Sequence, residues 1–155
     1  MALTAIIALG SNLGNRRAHL EAGLMALADL GSVSQSPLIM ETPDESGRGP
    51  DYMNTVARLD YDGHDPCRLL EALLRIELSL GRDRSFGRNA PRTLDLDLIH
   101  CAGITGHWSW TPPEDLKVLG DLLTLDLPHP RAEGRTFVQL PWQALEQARK
   151  GELES

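Results

Sequence analysis

The sequence TLDLDLIHC occupies residues 93–101, and its alternation of apolar and acidic side chains predicts a β-strand. Successive side chains of a strand leave opposite faces, so the leucines would enter the core while Asp95 and Asp97 share the other face. Two adjacent carboxylates repel each other unless a cation lies between them. The strand therefore carries part of the core and a candidate cation site. The alternative is a pair of solvated acids on an exposed face.

The segments before this strand predict five further elements. A helix begins with Asp65 as its N-cap and Pro66 in its first position, and Gly81 ends it. An earlier helix has leucines at helical spacing, and either Asn12 or Asn15 is its cap. Strands are predicted at residues 4–9, 33–41 and 52–61.

The resulting order is strand, helix, two strands, helix and strand. This is the split βαβ order of a ferredoxin-like α+β sandwich, in which helices pack on one face of an antiparallel sheet. A doubly wound sheet fits less well, because the two middle strands are joined by the glycine- and proline-containing loop at residues 42–51 rather than by a helix.

The length and charge of the chain limit its class. We expect residues 1–155 to form a single domain, since this length can bury a core of its own. The formal net charge of −7 argues against a general nucleic-acid binder. No apolar run approaches the roughly 18 residues that span a bilayer, and the first residues do not resemble a signal peptide. These features predict a cytoplasmic protein in which Cys67 and Cys101 are reduced packing thiols.

A cationic loop precedes the aspartate pair. Although the chain is acidic overall, four arginines fall in a segment that also contains Gly87 and Pro91. The arginine side chain is a planar fork that suits phosphate oxygens, and Mg²⁺ commonly bridges one or two carboxylates to substrate phosphates. The combination predicts phosphoryl transfer at a magnesium site formed by Asp95 and Asp97. The arginines that would contact the phosphate chain are Arg82, Arg84, Arg88 and Arg92.

Four segments, in the same order, resemble the 6-hydroxymethyl-7,8-dihydropterin pyrophosphokinase family. The most specific is RNAPRTLDLDLI at residues 88–99, and the resemblance covers roughly residues 4–142. The family implies a ferredoxin-like fold and a reaction of folate biosynthesis. In that reaction the β,γ-pyrophosphoryl group of ATP moves to the hydroxymethyl oxygen of the pterin, and AMP is released. The other segments are ALGSNLG at 8–14, PDYMN at 50–54, and LPHP at 127–130 followed by RTF at 135–137.

The resemblance also implies roles for individual residues. The family uses two magnesium ions, whose ligands match Asp95 and Asp97, and its loop arginines that close over the nucleotide match Arg82 and Arg92. The other implied ATP contacts, besides Arg84 and Arg88 of the loop, are Glu77, His129 and Arg135. A solvated helix acid is the alternative for Glu77, and a structural histidine is the alternative for His129. The implied pterin contacts are Thr42, Pro43, Tyr52, Asn54 and Phe137, with Tyr52 and Phe137 stacking on the ring.

Some positions depart from the family pattern. Asn89 stands where some members carry a tryptophan in the closing loop, and Leu74 occupies a helical position that can be polar. The acids of residues 44–47 replace a more apolar pterin-side loop. An insertion is predicted near residues 106–119. One hypothesis has Trp108 or Trp110 covering the nucleotide site, and the alternative has them anchoring the insertion to the protein surface or to a partner.

These observations predict a monomeric enzyme that acts on small molecules, with the insertion as its one candidate surface for a partner. Two rival functions remain open. The first is a pterin- or nucleotide-binding relative with weakened catalysis. The second is a metal-dependent phosphohydrolase, in which Thr or Val normally stands two residues after the second acid. Ile99 occupies that position here, which counts against the hydrolase.

Overall fold

A computed structural model describes residues 3–12, 14–43, 51–81 and 94–154 of the chain. Its main feature is a five-stranded sheet in which β4 lies between β2 and β1, β5 follows β1, and β3 also pairs with β4. All of these pairings are antiparallel. This is the ferredoxin-like strand arrangement, so the predicted α+β fold class is confirmed. The strands are β1 (Leu3–Ser11), β2 (Gly31–Gln35), β3 (Met40–Thr42), β4 (Tyr52–Tyr61) and β5 (Asp95–Cys101).

In the described part of the chain, three α-helices accompany the sheet, namely α1 (Arg16–Ala28), α2 (Pro66–Ser79) and α3 (Thr136–Glu154). Of the two cap candidates for α1, Asn15 is the cap, and its side chain accepts a hydrogen bond from the backbone N–H of Ala18 at 3.1 Å. Asp65 caps α2 as predicted, accepting from the Cys67 N–H at 2.9 Å. Gly81 follows α2 with a φ of +104°, a left-handed conformation that favours glycine.

The strand predicted at residues 33–41 is divided into β2 and β3 in the structure. Pro37 lies in the gap and has no N–H to offer the sheet. Beside it, the buried hydroxyl of Ser36 donates to the carbonyl oxygen of Pro141 in α3 at 2.7 Å. Pro37 is a local signal of the interruption that the predicted strand at 33–41 overlooked, whereas the Ser36 contact joins residues far apart in the sequence.

The segment near residues 106–119, for which an insertion is predicted, lies in a β-hairpin that extends to Leu127. Strands β6 (Gly106–Trp110) and β7 (Leu123–Leu127) pair antiparallel, and a short 3-10 helix, Glu114–Leu119, lies between them. In β7 the apolar residues alternate with exposed polar ones, which gives the hairpin one buried face. The hairpin therefore packs on the rest of the domain through that face.

The two faces of the sheet bury different apolar clusters. Ile7 and Leu9 of β1 belong to the cluster formed with α1 and α2, which includes Leu73. Ile6, one residue earlier and therefore on the opposite face, packs with Val138 and other residues of α3. The two helices of the predicted order, α1 and α2, thus share one face as expected, while α3, which that order did not include, covers part of the second face.

Both cysteines are free and buried, as predicted. Burial raises the pKa of the Cys101 thiol to about 11, so it stays protonated at neutral pH. Among the helices that the structure describes, none combines the length and the apolar character needed to cross a membrane.

Candidate active site

A row of polar and small residues crosses the second face of the sheet beyond the part that α3 covers. Gly10 of β1 pairs with Asp95 of β5 on one side and with Asn54 of β4 on the other. Ladder partners share a face, so the carboxylate and the amide lie on the same side of the sheet. Their Cα atoms are two strand spacings of about 4.8 Å apart. Asp97 lies one step along the same face, opposite Ala8.

The central strand supplies a floor for this row. Beside the two aspartates, β1 presents Ala8 and Gly10 to the second face, so no bulky group of this strand separates β5 from β4 there. A Cβ atom at Gly10 would lie 3.1 Å from Oδ1 of Asn54 and 3.4 Å from Cδ1 of Tyr52. The glycine therefore keeps open a space bordered by the amide, the aromatic ring and Asp95. The strand predicted at residues 4–9 continues through Ser11 in the structure, so Gly10 lies within β1.

Three of the residues predicted to bind the pterin meet at one edge of this floor. The Asn54 Nδ2 donates to the Thr42 hydroxyl at 2.9 Å and to the carbonyl oxygen of Met40 at 3.3 Å. Tyr52 pairs with Thr42 across the ladder and is half-buried, while Pro43 follows β3 and is exposed. The hydrogen bonds fix the orientation of the Asn54 amide, so the structure brings Thr42, Tyr52 and Asn54 together.

The segment that leads into α3 brings a second group of predicted residues to the same face. The backbone N–H of His129 donates to the carbonyl oxygen of Ile99 at 2.8 Å, which ties the segment to β5. The guanidinium carbon of Arg135 lies 5.5 Å from the centre of the Phe137 ring, within the range of a cation–π contact. Phe137 is partly buried and packs against the apolar cluster under α3, as Ala8 does.

The charge state of His129 follows from its surroundings. Burial lowers the pKa of the imidazole, and the positive charges of Arg135 and Arg131 lower it further. The carboxylates of Asp95 and Asp126 act in the opposite direction without reversing the shift. The ring is therefore neutral at pH 7, and its Nδ1 accepts a hydrogen bond from the Arg131 N–H at 3.2 Å. That bond assigns the ring proton to Nε2.

Glu77 is buried, so the alternative of a solvated helix acid is wrong. Its side chain is 2% exposed, and its Oε2 accepts a hydrogen bond from the backbone N–H of Leu96 at 2.7 Å. Leu96 stands between the two aspartates of β5. The carboxylate of α2 thus reaches the strand that carries the candidate metal ligands, a contact between elements that helical periodicity alone could not predict.

The two tryptophans of the hairpin lie on the α2 side of the domain. Trp108 and Trp110 pack against the cluster of the first face. The indole N–H of Trp110 donates to the Oε2 of Glu71 at 2.8 Å, and Arg75 of α2 forms an ion pair with Asp115 at 2.7 Å. This placement agrees with the alternative in which the tryptophans anchor the insertion to the protein surface.

Several predicted features lie outside the described residues. They include the closing-loop position Asn89, the acids of residues 44–47, and the four loop arginines, Arg82, Arg84, Arg88 and Arg92. Within the described ranges, no group of three or more His, Cys, Asp or Glu side chains is arranged to hold a metal ion. Among the described residues, Asp95 and Asp97 are the carboxylates that share this part of the sheet face.

Sequence reasoning missed the floor residues Ala8 and Gly10 and the contact of Glu77 with β5. A glycine at the end of an apolar strand was a usable signal, because glycine in a strand often marks a close approach of another group. Glu77 gave a weaker signal, namely an acid on the same helix as the buried leucine stripe. Neither residue could be assigned its contacts before the elements were placed together.

Comparisons with known proteins identify the relatives of this site. The model of the family described as 7,8-dihydro-6-hydroxymethylpterin-pyrophosphokinase (HPPK) matches residues 6–147. A 2-amino-4-hydroxy-6-hydroxymethyldihydropteridine pyrophosphokinase from Pseudomonas aeruginosa is 38% identical over 138 residues, covering 87% of this chain and 75% of that protein. A protein of the same name from Mycobacterium leprae is 33% identical over 141 residues, covering 91% of this chain and 71% of that protein.

A third relative is named as a folate synthesis bifunctional protein. It comes from Arabidopsis thaliana and is 33% identical over 138 residues, which are 88% of this chain and 25% of that protein. The similarity of these relatives and the extent of the family match agree with the four segments recognised in the sequence, and the resemblance is confirmed. The chain belongs to the 7,8-dihydro-6-hydroxymethylpterin-pyrophosphokinase family.

Proposed function

We propose that this protein transfers pyrophosphate from ATP to the hydroxymethyl group of 6-hydroxymethyl-7,8-dihydropterin and releases AMP. Membership of the family supports the reaction. The observation that carries the proposal is the row Asp95–Gly10–Asn54, in which a carboxylate and an amide border one open floor. A hydrolase or a binding protein without turnover is not favoured, because the carboxylate pair, His129 and Arg135 accompany that row.

The carboxylate pair fits Mg²⁺. Asp95 and Asp97 are half-buried and share a face, while the leucines beside them are buried. Carboxylate oxygens are the ligands that Mg²⁺ prefers, and in proteins this ion commonly keeps several waters and binds one or two carboxylates together with substrate phosphates. When bound, two magnesium ions would neutralise charge on the phosphates during transfer. Asp95 and Asp97 would determine where these positive ions are bound.

The pterin would lie on the floor between Asn54 and the aspartates. The Asn54 amide and the Thr42 hydroxyl, which are hydrogen-bonded to each other, would form hydrogen bonds with polar atoms along the edge of the heterocycle. Tyr52 and Phe137 would contact its two flat faces. Because Asp95 is about 10 Å from Asn54 across the sheet, a bicyclic ring held at the amide would direct its hydroxymethyl group toward the aspartates.

The nucleotide would approach from the side of the segment before α3. Arg135 offers positive charge and a planar fork for the phosphate oxygens. His129, neutral and protonated on Nε2, would donate a hydrogen bond to the same chain of phosphates. We propose that Arg82 and Arg92 close over the bound nucleotide, with Arg84 and Arg88 adding phosphate contacts. Closure of this kind excludes water and favours transfer to the pterin over hydrolysis.

The test is an assay of the protein with ATP, Mg²⁺ and hydroxymethyl-dihydropterin. We expect AMP to form only when the acceptor is present, in step with a pyrophosphorylated pterin. Release of inorganic phosphate without acceptor would indicate a hydrolase. Tight pterin binding without AMP would indicate a binding relative. Omitting Mg²⁺ and replacing it with Mn²⁺ tests the metal requirement separately from the reaction type.

A further inference from the structure

The strand that carries the aspartates is the outer strand of the main sheet on that side. Among the strands that the structure describes, β5 pairs in this sheet with β1 alone, and Leu96 stands opposite Leu9 in that ladder. The outer edge of such a strand presents N–H and C=O groups that no neighbouring strand satisfies. At Leu96 this N–H is satisfied by the Glu77 carboxylate at 2.7 Å. The carboxylate of Glu77 on α2 therefore accepts the hydrogen bond that a further strand would otherwise accept.

The bond restrains β5 at the point where small movements matter most. Leu96 separates Asp95 from Asp97, and its own side chain is buried in the core. Its backbone is thus held from the core by packing and from the edge by Glu77. A shift or rotation of this residue would change the separation and direction of both carboxylates. Catalytic groups need placement within about 0.5 Å to work well.

We propose that Glu77 is a positioning residue, whose buried carboxylate holds β5 between Asp95 and Asp97 and so sets the geometry of the pair. The inference rests on the proposed function, because it concerns the same metal-binding carboxylates. It replaces the ATP contact that the family resemblance implied for Glu77. In this role the side chain must be long enough for its carboxylate oxygen to accept the hydrogen bond from the Leu96 N–H. The role does not require Glu77 to contact the substrate.

Two conservative variants of Glu77 distinguish the effect of its side-chain length from the effect of its charge. Glu77→Gln keeps the side-chain length and an acceptor oxygen while removing the charge. Glu77→Asp keeps the charge but withdraws the acceptor by one methylene. We expect Glu77→Gln to retain kcat within about threefold, and Glu77→Asp to lose about tenfold in kcat with the KM for ATP nearly unchanged. The opposite order, with Asp more active than Gln, would overturn the proposal.

Glu71 provides a matched control on the same helix. It is also 2% exposed, and its carboxylate binds Arg68 and Trp110 rather than β5. Glu71→Asp should lower the free energy of unfolding and leave kcat unchanged. If Glu71→Asp and Glu77→Asp lower kcat alike, the effect is one of general stability and the positioning role is wrong. A raised KM for ATP in both Glu77 variants would instead restore the nucleotide contact.

A readout independent of catalysis keeps this inference separate from the proposed reaction. Hydrogen exchange of the Leu96 amide should be slow in the native protein and in Glu77→Gln, and faster in Glu77→Asp. Absence of AMP from the native protein would defeat the proposed function while leaving this measurement intact. Equal exchange rates in all three proteins would defeat the positioning role even if AMP is formed.

Discussion

The two faces of the sheet serve different purposes although the same strands build both. On the first face, α1 and α2 seal an apolar cluster that includes Ile7, Leu73 and Leu98. On the second, α3 covers the end around Ile6 and leaves the row at Gly10 to polar residues. Along one strand, successive residues thus alternate between the apolar core and the candidate site. Substitutions one position apart should therefore have opposite consequences for stability and activity.

The largest effect is expected from the second face. Asp97→Asn keeps the shape of the side chain but removes a carboxylate from the proposed metal site. We expect acceptor-dependent AMP formation to fall by about 10²- to 10³-fold, as when a preorganised electrostatic group is lost, with little loss of folding stability. Steady-state kinetics and chemical denaturation measure the two quantities on the same preparation. Activity within threefold of the native protein would remove Asp97 from the site.

The next effect tests the first face with the neighbouring residue. Leu98→Ala creates a cavity beside the helices, and Leu98 is 2% exposed. We expect the free energy of unfolding to fall by about 2–5 kcal/mol, while kcat of the folded protein changes by less than about threefold. Urea denaturation followed by circular dichroism gives the stability. A loss of kcat as large as that of Asp97→Asn would break the contrast between the two faces.

A smaller effect is expected from the floor of the site. Gly10→Ala places a methyl group 3.1 Å from Asn54 Oδ1 and 3.4 Å from Tyr52. We expect pterin binding to weaken about tenfold, or about 1.4 kcal/mol, with ATP binding little changed. Titration calorimetry with each ligand measures both. Gly151→Ala is the control, because its new methyl group meets nothing within 4 Å and both affinities should stay as they are.

The smallest effect concerns pH. Because burial and then Arg135 lower the pKa of His129 below its ordinary value of 6.5, the unfolded chain binds the proton more readily than the folded one. The stability that the neutral ring contributes is thus complete above pH 6.5 and is lost as the pH falls toward the folded pKa. Unfolding free energies of the native protein and His129→Gln should therefore converge below pH 6.5. Parallel curves would show that folding does not lower the pKa of His129.

Binding of a nucleotide should reverse that shift. The negative charge of phosphate near His129 favours the protonated ring, so ATP binding at about pH 6 should be accompanied by proton uptake. Calorimetry in buffers of different ionisation enthalpy measures the number of protons. His129→Gln should abolish the uptake, and its persistence in that variant would assign the proton to another group.

The local sequence pattern predicted those features of the fold that depend on neighbouring residues, such as strand faces and helix starts. Alternation placed Asp95 and Asp97 on one face of a strand, and Asp65 with Pro66 marked the start of α2 correctly. The division of β2 from β3 has a local cause in Pro37, but the Ser36 contact with α3 beside it lies far along the chain. The packing of α3 on the second face and the burial of Glu77 likewise depend on how elements meet.

The most direct test of the account locates the metal ion. Mn²⁺ accepts the same oxygen ligands as Mg²⁺ and broadens the NMR signals of nearby nuclei. With Mn²⁺ and a non-hydrolysable ATP analogue, the amide signals of Gly10, Asp95 and Asp97 should broaden first, and Asp97→Asn should weaken this broadening. The amides of α1, on the first face, should stay sharp. Selective broadening at α1 or at the exposed His107–Asp126 pair of the hairpin, with none at Gly10 and Asp95, would contradict the account.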